Sequence, residues 1–548
     1  MNSSLLSRAL FLALFFFLNY AGQAQNEVFQ MSQIGSNFLL DKPWDLLYGP
    51  DDYLWVTERT AGVVVRINPE TAERDELVDI PDCSSTAGQD GLLGMALHSD
   101  FLGSSPYLYL SYTHLVGGQR KQKIVRYTYS ISGDDGTLSD PVILLDNLPA
   151  SNDHNSGRMV FGPDGMLYYT IGDQGANQSS NYCNPNLAQV LPTQQEVLLQ
   201  VWDNYPGSIL RIDPSGAIPM DNPMLDGVRS HIYSYGHRNA QGIVFGSNGL
   251  LYADEHGPNT DDEVNVIYSG MNYGWPRIAG YQDDQVYDYC NWSSAPNCQS
   301  LSYSSSSCPP TADFLEESTF SAPNYQEPLL SMFAVPDDYN FNDPACDDSW
   351  ICRPNVAPSS IAYYDSDAIP SWQNSLLVSS LKRGRIFRLL LDADGTAMVG
   401  DTIEHFYTTN RYRDIVVSPD GKSFFMITDE SGKTSGPTGL TVTTNLQNPG
   451  AILKFTLDET SAVQQPLDDS KLRVWPNPTS QSLFFELKAA QAENPVATLV
   501  DATGAVIQRL ENLQTGVNEV DVTQFPTGVY LLRIQANDQT WQKRVVLF

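Results

Sequence analysis

Two short polar segments contain the residues best suited to chemistry. The first, DHNSGR (153–158), places His154 directly after the carboxylate of Asp153, and the second, GDQGANQ (172–178), groups amides with a further carboxylate. A histidine titrates near neutral pH, so with an acid beside it His154 is a candidate general base. An Asp-His pair is also common as an ordinary surface or structural pair, so the residues around it must show whether this one is functional.

Those surroundings are apolar strands. Residues 159–161 and 166–171 are largely apolar runs joined by Gly-Pro-Asp-Gly (162–165), a composition typical of a tight turn. The second polar segment follows where this strand pair ends. Polar groups at the ends of apolar strands are how β-propellers and barrels build a site on a rigid scaffold.

Basic side chains are scarce, and they gather in three places: KRGR (382–385), NRYRD (410–414) and Arg238. In an extended segment Arg411 and Arg413 share a face. Guanidinium groups suit carboxylates, so these residues predict a cationic pocket for a small polyanion. Surface ion pairs with nearby acids are the alternative interpretation for each residue taken singly.

The whole chain is acidic. It has 31 Lys and Arg against 64 Asp and Glu, a formal charge of −33 and an isoelectric point near 4.3. Such a protein repels phosphate backbones, which disfavours a nucleic-acid role. The acid excess serves solubility, or in part calcium binding.

One pattern recurs six times: an apolar strand, a turn, and a second apolar or aromatic strand. The copies begin near residues 46, 159, 243 and 415, with looser copies near 94 and 360. Amphipathic helices are almost absent. We therefore predict an all-β fold, a six-bladed β-propeller over residues 26–457, with a β-sandwich or two small barrels as the alternative.

The start of the chain predicts export. Arg8 precedes an apolar run (9–18) followed by small residues, so residues 1–24 are interpreted as a signal peptide, and no later run is long enough to span a membrane. Seven cysteines in an exported protein suggest disulfides, with Cys346 and Cys352 close enough for a small loop. Because seven is odd, at least one of the other cysteines is free or pairs elsewhere.

After a polar linker (458–471), residues 472–548 form a short strand-rich unit, predicted to be a small β-sandwich-like domain. Its landmarks are VWPNPT (474–479), FPTGVYLLR (525–533) and KRVVLF (543–548). This unit resembles the C-terminal sorting domain of the type IX secretion system. The resemblance implies recognition by that machinery and a protein that is extracellular or attached to the cell surface. An ordinary accessory domain is the alternative.

The first unit resembles the soluble quinoprotein glucose dehydrogenases, which use pyrroloquinoline quinone (PQQ), within the wider sugar/sorbosone dehydrogenase family. The matching stretches follow in order along most of the predicted propeller: GQDGLLG (88–94), DHNSGR (153–158), PTQQE (192–196), GHRNAQG (236–242), GPNTDDE (257–263), GMNYGWP (270–276), YNFNDP (339–344), SLKRG (380–384) and NRYRD (410–414).

The resemblance implies a role for each matched residue. His154 would take the proton from the anomeric hydroxyl while hydride passes from sugar C1 to the quinone, and Asp153 would orient His154. Arg238 would stabilise charge on the quinone oxygen. The substrate residues would be Gln89, Asp153 and Gln178; the cofactor residues would be Asn239, Lys382, Arg411 and Arg413.

The resemblance also implies calcium. One ion would bridge PQQ and the carbonyls of Gly257 and Pro258. A paired site would fall on Glu263, Tyr273, Ala279, Asp283 and Glu317, partly through main-chain oxygens. The partners would be a sugar and an electron acceptor, with a homodimer as one option for the assembly.

The chain departs from the glucose enzymes around the sugar. Trp350 and Arg353 replace a tyrosine and a tryptophan, Asn355 replaces a threonine near the cofactor, and Ser179 replaces a leucine. The resemblance therefore supports the reaction type better than the substrate. A calcium-dependent lactonase and a non-catalytic glycan-binding propeller are the alternatives, and both fit the cationic residues and the Asp-His pair less well.

Overall fold

The computed structural model describes residues 27–35, 38–133, 135–305, 307–341, 350–436 and 442–458, and in the C-terminal part 472–477, 479–487, 495–500, 506–510, 513, 516–526, 528–536 and 539–547. The predicted signal peptide, most of the predicted linker, and Cys346 lie outside these residues. The chain divides between Leu457 and Asp458 into two compact units.

The regular secondary structure described in the first unit is almost entirely antiparallel strand, as predicted. Its strands are β1 Phe29–Ile34, β2 Pro43–Tyr48, β3 Leu54–Glu58, β4 Val63–Ile67, β5 Arg74–Asp79, β6 Leu92–Leu97, β7 Tyr107–Val116, β8 Gln119–Ser132, β9 Asp135–Pro149, β10 Ser156–Phe161, β11 Leu167–Ile171, β12 Ser208–Ile212, β13 Met224–Leu225, β14 Val228–Arg229, β15 Ile232–Tyr235, β16 Ala240–Phe245, β17 Leu251–Glu255, β18 Asp262–Ile267, β19 Tyr289–Asn291, β20 Asp313–Leu315, β21 Leu330–Met332, β22 Pro358–Tyr364, β23 Ser375–Ser380, β24 Ile386–Leu390, β25 Ile403–His405, β26 Tyr412–Val417, β27 Ser423–Thr428 and β28 Ile452–Leu457.

Helical structure in the described residues is short. The one α-helix, α1 Gln194–Leu199, begins at a capping box in which Thr193 and Glu196 satisfy each other's backbone N–H groups. The 3₁₀ turns are Ser179–Asn181, Trp292–Ser294, Cys298–Ser300, Glu317–Thr319 and Pro370–Trp372. No helix among the described residues is long and apolar enough to cross a membrane.

The described residues of this unit form six four-stranded sheets and two short two-stranded ones, β13-β14 and β19-β20. Five run in chain order, β2 to β5, β6 to β9, β10-β11-β12-β15, β16-β17-β18-β21 and β22 to β25, while the sixth joins β26, β27 and β28 to β1 from the opposite end of the unit. Each of the six sequence repeats forms the hairpin of the first two strands of one sheet. The turn and alternation signals therefore predicted these hairpins correctly.

The first strands of the six sheets contact one another in order, and β26 contacts β2, so the sheets form a closed ring. Arg158 of β10 links several sheets at the centre of the ring. Its guanidinium donates to Asp45 Oδ1 at 2.6 Å and Asp414 Oδ2 at 2.5 Å, and to the carbonyls of Gln241 and Ser359. These acceptors lie on four other first strands, so one buried ion-pair network holds five of the six sheets at the axis.

The second unit contains two further antiparallel sheets. Its strands are β29 Leu472–Trp475, β30 Ser482–Leu487, β31 Val496–Val500, β32 Val506–Leu510, β33 Val517–Asp521, β34 Gly528–Ala536 and β35 Gln539–Leu547. The sheet orders are β29-β30-β33 and β32-β31-β34-β35. Side chains from both sheets, among them Phe485 and Leu532, form a single apolar cluster.

Candidate active site

A cavity of about 630 Å³ opens at one end of the ring. Most of its wall comes from two kinds of loop: those that enter the first strand of a sheet, and those that leave the second strand. In an antiparallel hairpin these two loops lie at the same end, so all the sheets present polar residues to one place. The loops that enter first strands contribute Lys42, Gln89, Asp153, His154, Arg238, Asn355 and Arg411; those that leave second strands contribute Arg59, Gln178, Gly257, Pro258, Lys382 and Asp429.

His154 is held by one hydrogen-bond partner at each ring nitrogen. Its Nδ1 lies 2.8 Å from Asp173 Oδ1, and its Nε2 lies 3.1 Å from the Nε2 amide nitrogen of Gln178. Arg238 donates to Gln178 Oε1 at 2.6 Å, which fixes the amide with its NH₂ group toward His154. Because an amide NH₂ can only donate, the Nε2 of His154 accepts, and its proton lies on Nδ1.

Asp173 is built to remain ionised. It is fully buried, and it also accepts from Gly175 N, Asn186 Nδ2 and Trp275 Nε1. Burial raises the pKa of the Asp173 carboxyl, but the attraction and hydrogen bond of His154, with Arg238 and Trp275, outweigh burial and leave the pKa below its usual value. A carboxylate so held fixes both the ring orientation and the tautomer of His154.

The prediction that Asp153 orients His154 is therefore wrong. The Asp153 carboxylate lies 3.8 Å from His154 Nε2, too far for a hydrogen bond, and it accepts instead from the His154 backbone N–H, Gln89 Nε2 and Gln178 Nε2. The backbone turns sharply here, with φ of His154 at +46°. Neighbouring side chains diverge at such a turn, so the sequence-adjacent acid lines the cavity while a distant acid holds the ring.

Lys382 forms the centre of a cationic wall. Its Nζ donates to Trp350 O at 2.9 Å and also contacts Asn355 Oδ1. Burial lowers the pKa of Lys382 to about 7; Asp262 opposes this, while Arg383, Arg353 and Arg411 add to it. An anion placed in the cavity would restore the charged form of Lys382.

Arg411 and Arg413 lie on the same face, as predicted, but they share an acid. The Nε atoms of both lie 2.9 Å from opposite oxygens of Asp429. Burial raises the pKa of Asp429, but the two guanidinium groups bring it down to about 2. Asp429 thus orients both arginines at the cavity wall and neutralises part of their charge, a role that the sequence pattern did not reveal.

The remaining predicted substrate residues, Trp350, Arg353 and Ser179, also line the cavity. The Nη1 of Arg353 donates to Asn259 Oδ1 at 2.6 Å. Asn239 does not line the wall. It is buried behind it, where its Nδ2 donates to Gln89 Oε1 at 3.3 Å, so direct contact with a cofactor stays a prediction.

The predicted calcium residues fall in two places. Gly257 and Pro258 line the cavity. Glu317 Oε1 accepts from Ala279 N at 2.9 Å, and Glu263 Oε1 accepts from Gly280 N at 2.7 Å, so these residues meet although they are distant in sequence. The ring of Tyr273 stacks on His237, and Asp283 is exposed at the edge of this group.

The acids of this second group are short of positive charge. Burial raises the pKa of Glu317 to about 8 and, together with Glu255, raises the pKa of Glu263 well above its usual range. Among the described residues, no three His, Cys, Asp or Glu side chains cluster closely enough to hold a metal by themselves. A cation here would need main-chain oxygens as well, as the resemblance implies.

Disulfides stabilise the rim of the cavity. Cys183 is bonded to Cys298, and Cys290 to Cys308. Cys83 is free, which agrees with the odd count, and burial raises the pKa of its thiol to about 12. Cys352 is disulfide-bonded, while Cys346, its predicted partner, lies outside the described residues.

Three residues of the site were missed by sequence reasoning: Asp173 as the partner of His154, Asp429, and Arg59. Asp173 was visible in the GDQGANQ segment, but nothing in its spacing indicated which histidine it faces. Arg59 lies on the loop after β3 and lines the cavity beside Gln89. A general signal could have found it: a basic residue directly after the second strand of a repeat.

Comparisons with known proteins agree with this site. Residues 40–333 and 323–436 match the family described as Glucose / Sorbosone dehydrogenase, and residues 473–547 match the Secretion system C-terminal sorting domain. Quinoprotein glucose dehydrogenase B of Acinetobacter calcoaceticus is 45% identical over 446 residues, which cover 79% of this chain and 92% of that protein.

Solved structures show a similar fold. The soluble aldose sugar dehydrogenase of Escherichia coli, solved in the apo-form, is 25% identical with a TM-score of 0.54, covering 79% of this chain and 100% of that one. The PQQ-bound aldose sugar dehydrogenase of Streptomyces coelicolor is 24% identical with a TM-score of 0.53, covering 78% and 98%.

Proposed function

Because this chain belongs to the glucose/sorbosone dehydrogenase family and is a quinoprotein sugar dehydrogenase by its relatives, we propose that it oxidises an aldose at C1 to the lactone, with PQQ as hydride acceptor and calcium as a second cofactor. The observation that carries the proposal is the orientation of His154, whose Nε2 is the hydrogen-bond acceptor at the cavity and whose Nδ1–H is held by Asp173. Binding alone does not require such a base.

The residues of the cavity fit the reacting sugar. His154 Nε2 would take the proton of the anomeric hydroxyl, and a base in hydrogen-bond reach is worth about 100- to 10,000-fold in rate. Gln89, Asp153 and Gln178 would hold sugar hydroxyls, since they already form one hydrogen-bonded chain beside His154. Arg238, buried and anchored by Gln178, would supply a fixed positive charge opposite the base.

The wall also fits PQQ, which is a small tricarboxylate that accepts hydride when bound. Lys382, Arg411 and Arg413 would hold its carboxylates, and Asn355 and Asn239 would add hydrogen bonds. The lowered pKa of Lys382 supports this role. Burying a cation without a full counter-charge is costly unless a ligand supplies the missing negative charge.

The donor set fits calcium, a hard cation that prefers oxygen ligands. Gly257 and Pro258 can offer only carbonyl oxygens, so an ion at this point would depend on the cofactor for part of its coordination. The second group, Glu263, Tyr273, Ala279, Asp283 and Glu317, combines buried carboxylates with main-chain oxygens, and a cation there would relieve the repulsion among the acids.

We further propose that the six sheets are the blades of a six-bladed β-propeller (26–457), that the C-terminal unit (472–548) is a sandwich, and that the protein carries a signal peptide (1–24). The sorting-domain match supports export by type IX machinery to the outside of the cell or its surface. The electrons would pass from the cofactor to an acceptor outside this chain.

Reconstitution tests the function. Purified apoprotein is mixed with PQQ and calcium, and dye reduction is followed against a panel of aldoses, with lactone identified as the product. Dye reduction by at least one aldose, dependent on PQQ, is the expected result. A lactonase or a glycan-binding propeller would bind or hydrolyse its ligand without reducing the dye.

A further inference from the structure

A second, smaller cavity of about 50 Å³ adjoins the large one and is here called the arginine cavity. Among the described residues, its lining includes two guanidinium groups, those of Arg59 and Arg413, and no carboxylate. The rest of the lining is neutral: Trp44, Gly88, Gln89, Ser156 and Gln241. One water molecule needs about 10–15 Å³ of such space, so the arginine cavity has room for a small ion together with water.

Arg59 is anchored where it meets the arginine cavity. Its backbone N–H donates to the Lys42 carbonyl at 3.3 Å, and its own carbonyl accepts from Leu92 N at 2.9 Å. The Nη1 of its guanidinium donates to the Gly88 carbonyl. No carboxylate in the described part of the chain forms an ion pair with Arg59, so its charge lacks a direct counter-ion.

Arg413 is held by an acid that it shares. Its Nε and Nη2 donate to the two oxygens of Asp429 at 2.9 and 3.0 Å, and Arg411 donates to the same carboxylate. The third nitrogen of Arg413, Nη1, has no hydrogen-bond partner among the described residues. One carboxylate therefore serves two guanidinium groups, and Arg59 adds a third positive charge beside them.

Electrostatics favour a negative charge between Arg59 and Arg413. Burial lowers the pKa of the Arg59 guanidinium and repulsion from Arg413 lowers it further, while Asp429, Asp90 and Asp41 oppose both effects. Two like charges that face one small cavity repel each other strongly, because the protein interior screens them less than water does. An anion placed between them would relieve that repulsion.

The neutral part of the lining offers further donors. The indole of Trp44 is buried, and its N–H has no partner in the residues that the structure describes. Gln241 Nε2 donates one hydrogen to Asn239 Oδ1 at 3.0 Å, which leaves it a second hydrogen. Leaving a buried donor without an acceptor is costly, so these groups indicate an acceptor that the protein does not supply.

We propose that the arginine cavity binds one halide ion, chloride under ordinary conditions, between the guanidinium groups of Arg59 and Arg413. A halide is a spherical acceptor, which suits N–H donors carried by several different side chains. Gln89 lines both cavities, so the ion would lie next to a residue proposed to hold the sugar. The proposal does not depend on the reaction proposed above, and either can fail without the other.

Bromide locates the ion directly, because its anomalous scattering distinguishes it from water. Crystals of the full chain, one set without cofactor and one set loaded with PQQ and calcium, are soaked in sodium bromide. We expect an anomalous peak in contact with both guanidinium groups in both sets. Water alone in the arginine cavity would overturn the proposal. So would a peak that disappears on loading with PQQ, since the position would then belong to a carboxylate of the cofactor.

Thermal unfolding tests the binding in solution. A ligand that binds only the folded state raises the unfolding temperature as its concentration increases. At equal ionic strength, replacing the larger anion methanesulfonate with chloride should raise the unfolding temperature of the wild-type chain without cofactor by about 1–3 °C. Arg59→Gln should abolish this shift. Arg229→Gln, at a half-buried arginine outside both cavities, is the matched control and should retain it.

Two results in solution would contradict the halide site. Equal unfolding temperatures of wild type in the two salts would show that no chloride is bound. A shift that persists in Arg59→Gln would come from a salt effect elsewhere on the protein. If Arg59→Gln does not fold, the anomalous scattering of the wild-type crystals decides the proposal by itself.

Discussion

The Nδ1 atom of His154 lies 2.8 Å from Oδ1 of Asp173, although nineteen positions separate the two residues along the chain. The hairpin of β10 and β11 brings them together: His154 lies on the loop that enters it and Asp173 on the loop that leaves it. The acid that orients the base is thus set by strand pairing, and the acid next to the base in sequence is left for the substrate.

This geometry predicts that substitutions of Asp173 and Asp153 affect different kinetic constants. Asp173→Asn should lower kcat about 100-fold or more, because the amide no longer holds the tautomer that leaves Nε2 able to accept a proton. Asp153→Asn keeps the ring in place and should act mainly on the KM of the sugar. Steady-state kinetics on both variants measure kcat and KM separately. A larger loss of kcat in Asp153→Asn than in Asp173→Asn would contradict the assignment of Asp173 as the acid that orients His154.

His154→Ala should lower turnover by about 100- to 10,000-fold. PQQ should still bind, because the residues proposed to hold its carboxylates, Lys382, Arg411 and Arg413, are unchanged. Absorbance titration of the variant with PQQ, set beside kcat at saturating cofactor, gives both quantities. A variant that loses PQQ affinity and keeps normal turnover when saturated would make His154 a cofactor ligand.

Calcium and PQQ should be required jointly. Gly257 and Pro258 offer only carbonyl oxygens, so neither component completes the site alone. After treatment with a chelator, PQQ alone should leave the protein inactive, and later addition of calcium should restore dye reduction. Magnesium serves as the control, since it demands near-ideal octahedral coordination and gives up its water reluctantly. Full activity of the chelated protein with PQQ alone would refute the calcium requirement.

Arg353 should favour an acidic sugar. Its guanidinium lines the cavity and can pair with a carboxylate, so kcat/KM should be higher for a uronic acid than for glucose. Arg353→Trp should lower the ratio of the two kcat/KM values by about tenfold or more. Arg229→Trp, outside the cavity, is the control. Unchanged selectivity together with weaker PQQ binding in Arg353→Trp would show that Arg353 pairs with the cofactor instead.

The free energy of unfolding should fall as the pH rises from about 4 to about 8, because a carboxyl group is buried near the axis of the ring. Burial raises the pKa of Asp254 to about 8, against the pull of Arg158 and with repulsion from Asp262 and Asp414. The folded state therefore binds this proton more tightly than the unfolded chain does. The resulting stability is complete below about pH 4 and is lost as pH rises through 8.

Asp254→Asn should remove this loss, because the amide is neutral at every pH. Wild type should lose about 4 kcal/mol of its free energy of unfolding between pH 5 and 9 through this group, and Asp254→Asn should not, which thermal unfolding across that range measures. Asp226→Asn, in an exposed turn, is the control and should follow wild type. Parallel pH profiles for Asp254→Asn and wild type would show that the loss of stability comes from another group.

The sequence by itself determined the local structure and the chemistry available. Paired apolar strands act over a few residues, as do the Pro-Asp-Gly or Ser-Asn-Gly turns in three of the repeats, so the six hairpins were predictable. The clustering of basic residues against a net charge of −33 also pointed to an anion site without any coordinates. Both signals depend on residues that are close together in the chain, so they can be recognised from the sequence alone.

Only the tertiary structure decided which of these groups meet. The ring closure brings Arg158 to Asp45 and Asp414, and the antiparallel pairing brings Asp173 to His154. The disulfide Cys183–Cys298 spans 115 positions and was one of many pairings open to seven cysteines. Such contacts depend on where the strands of the ring place distant loops in space, and the spacing of residues along the chain does not carry that information.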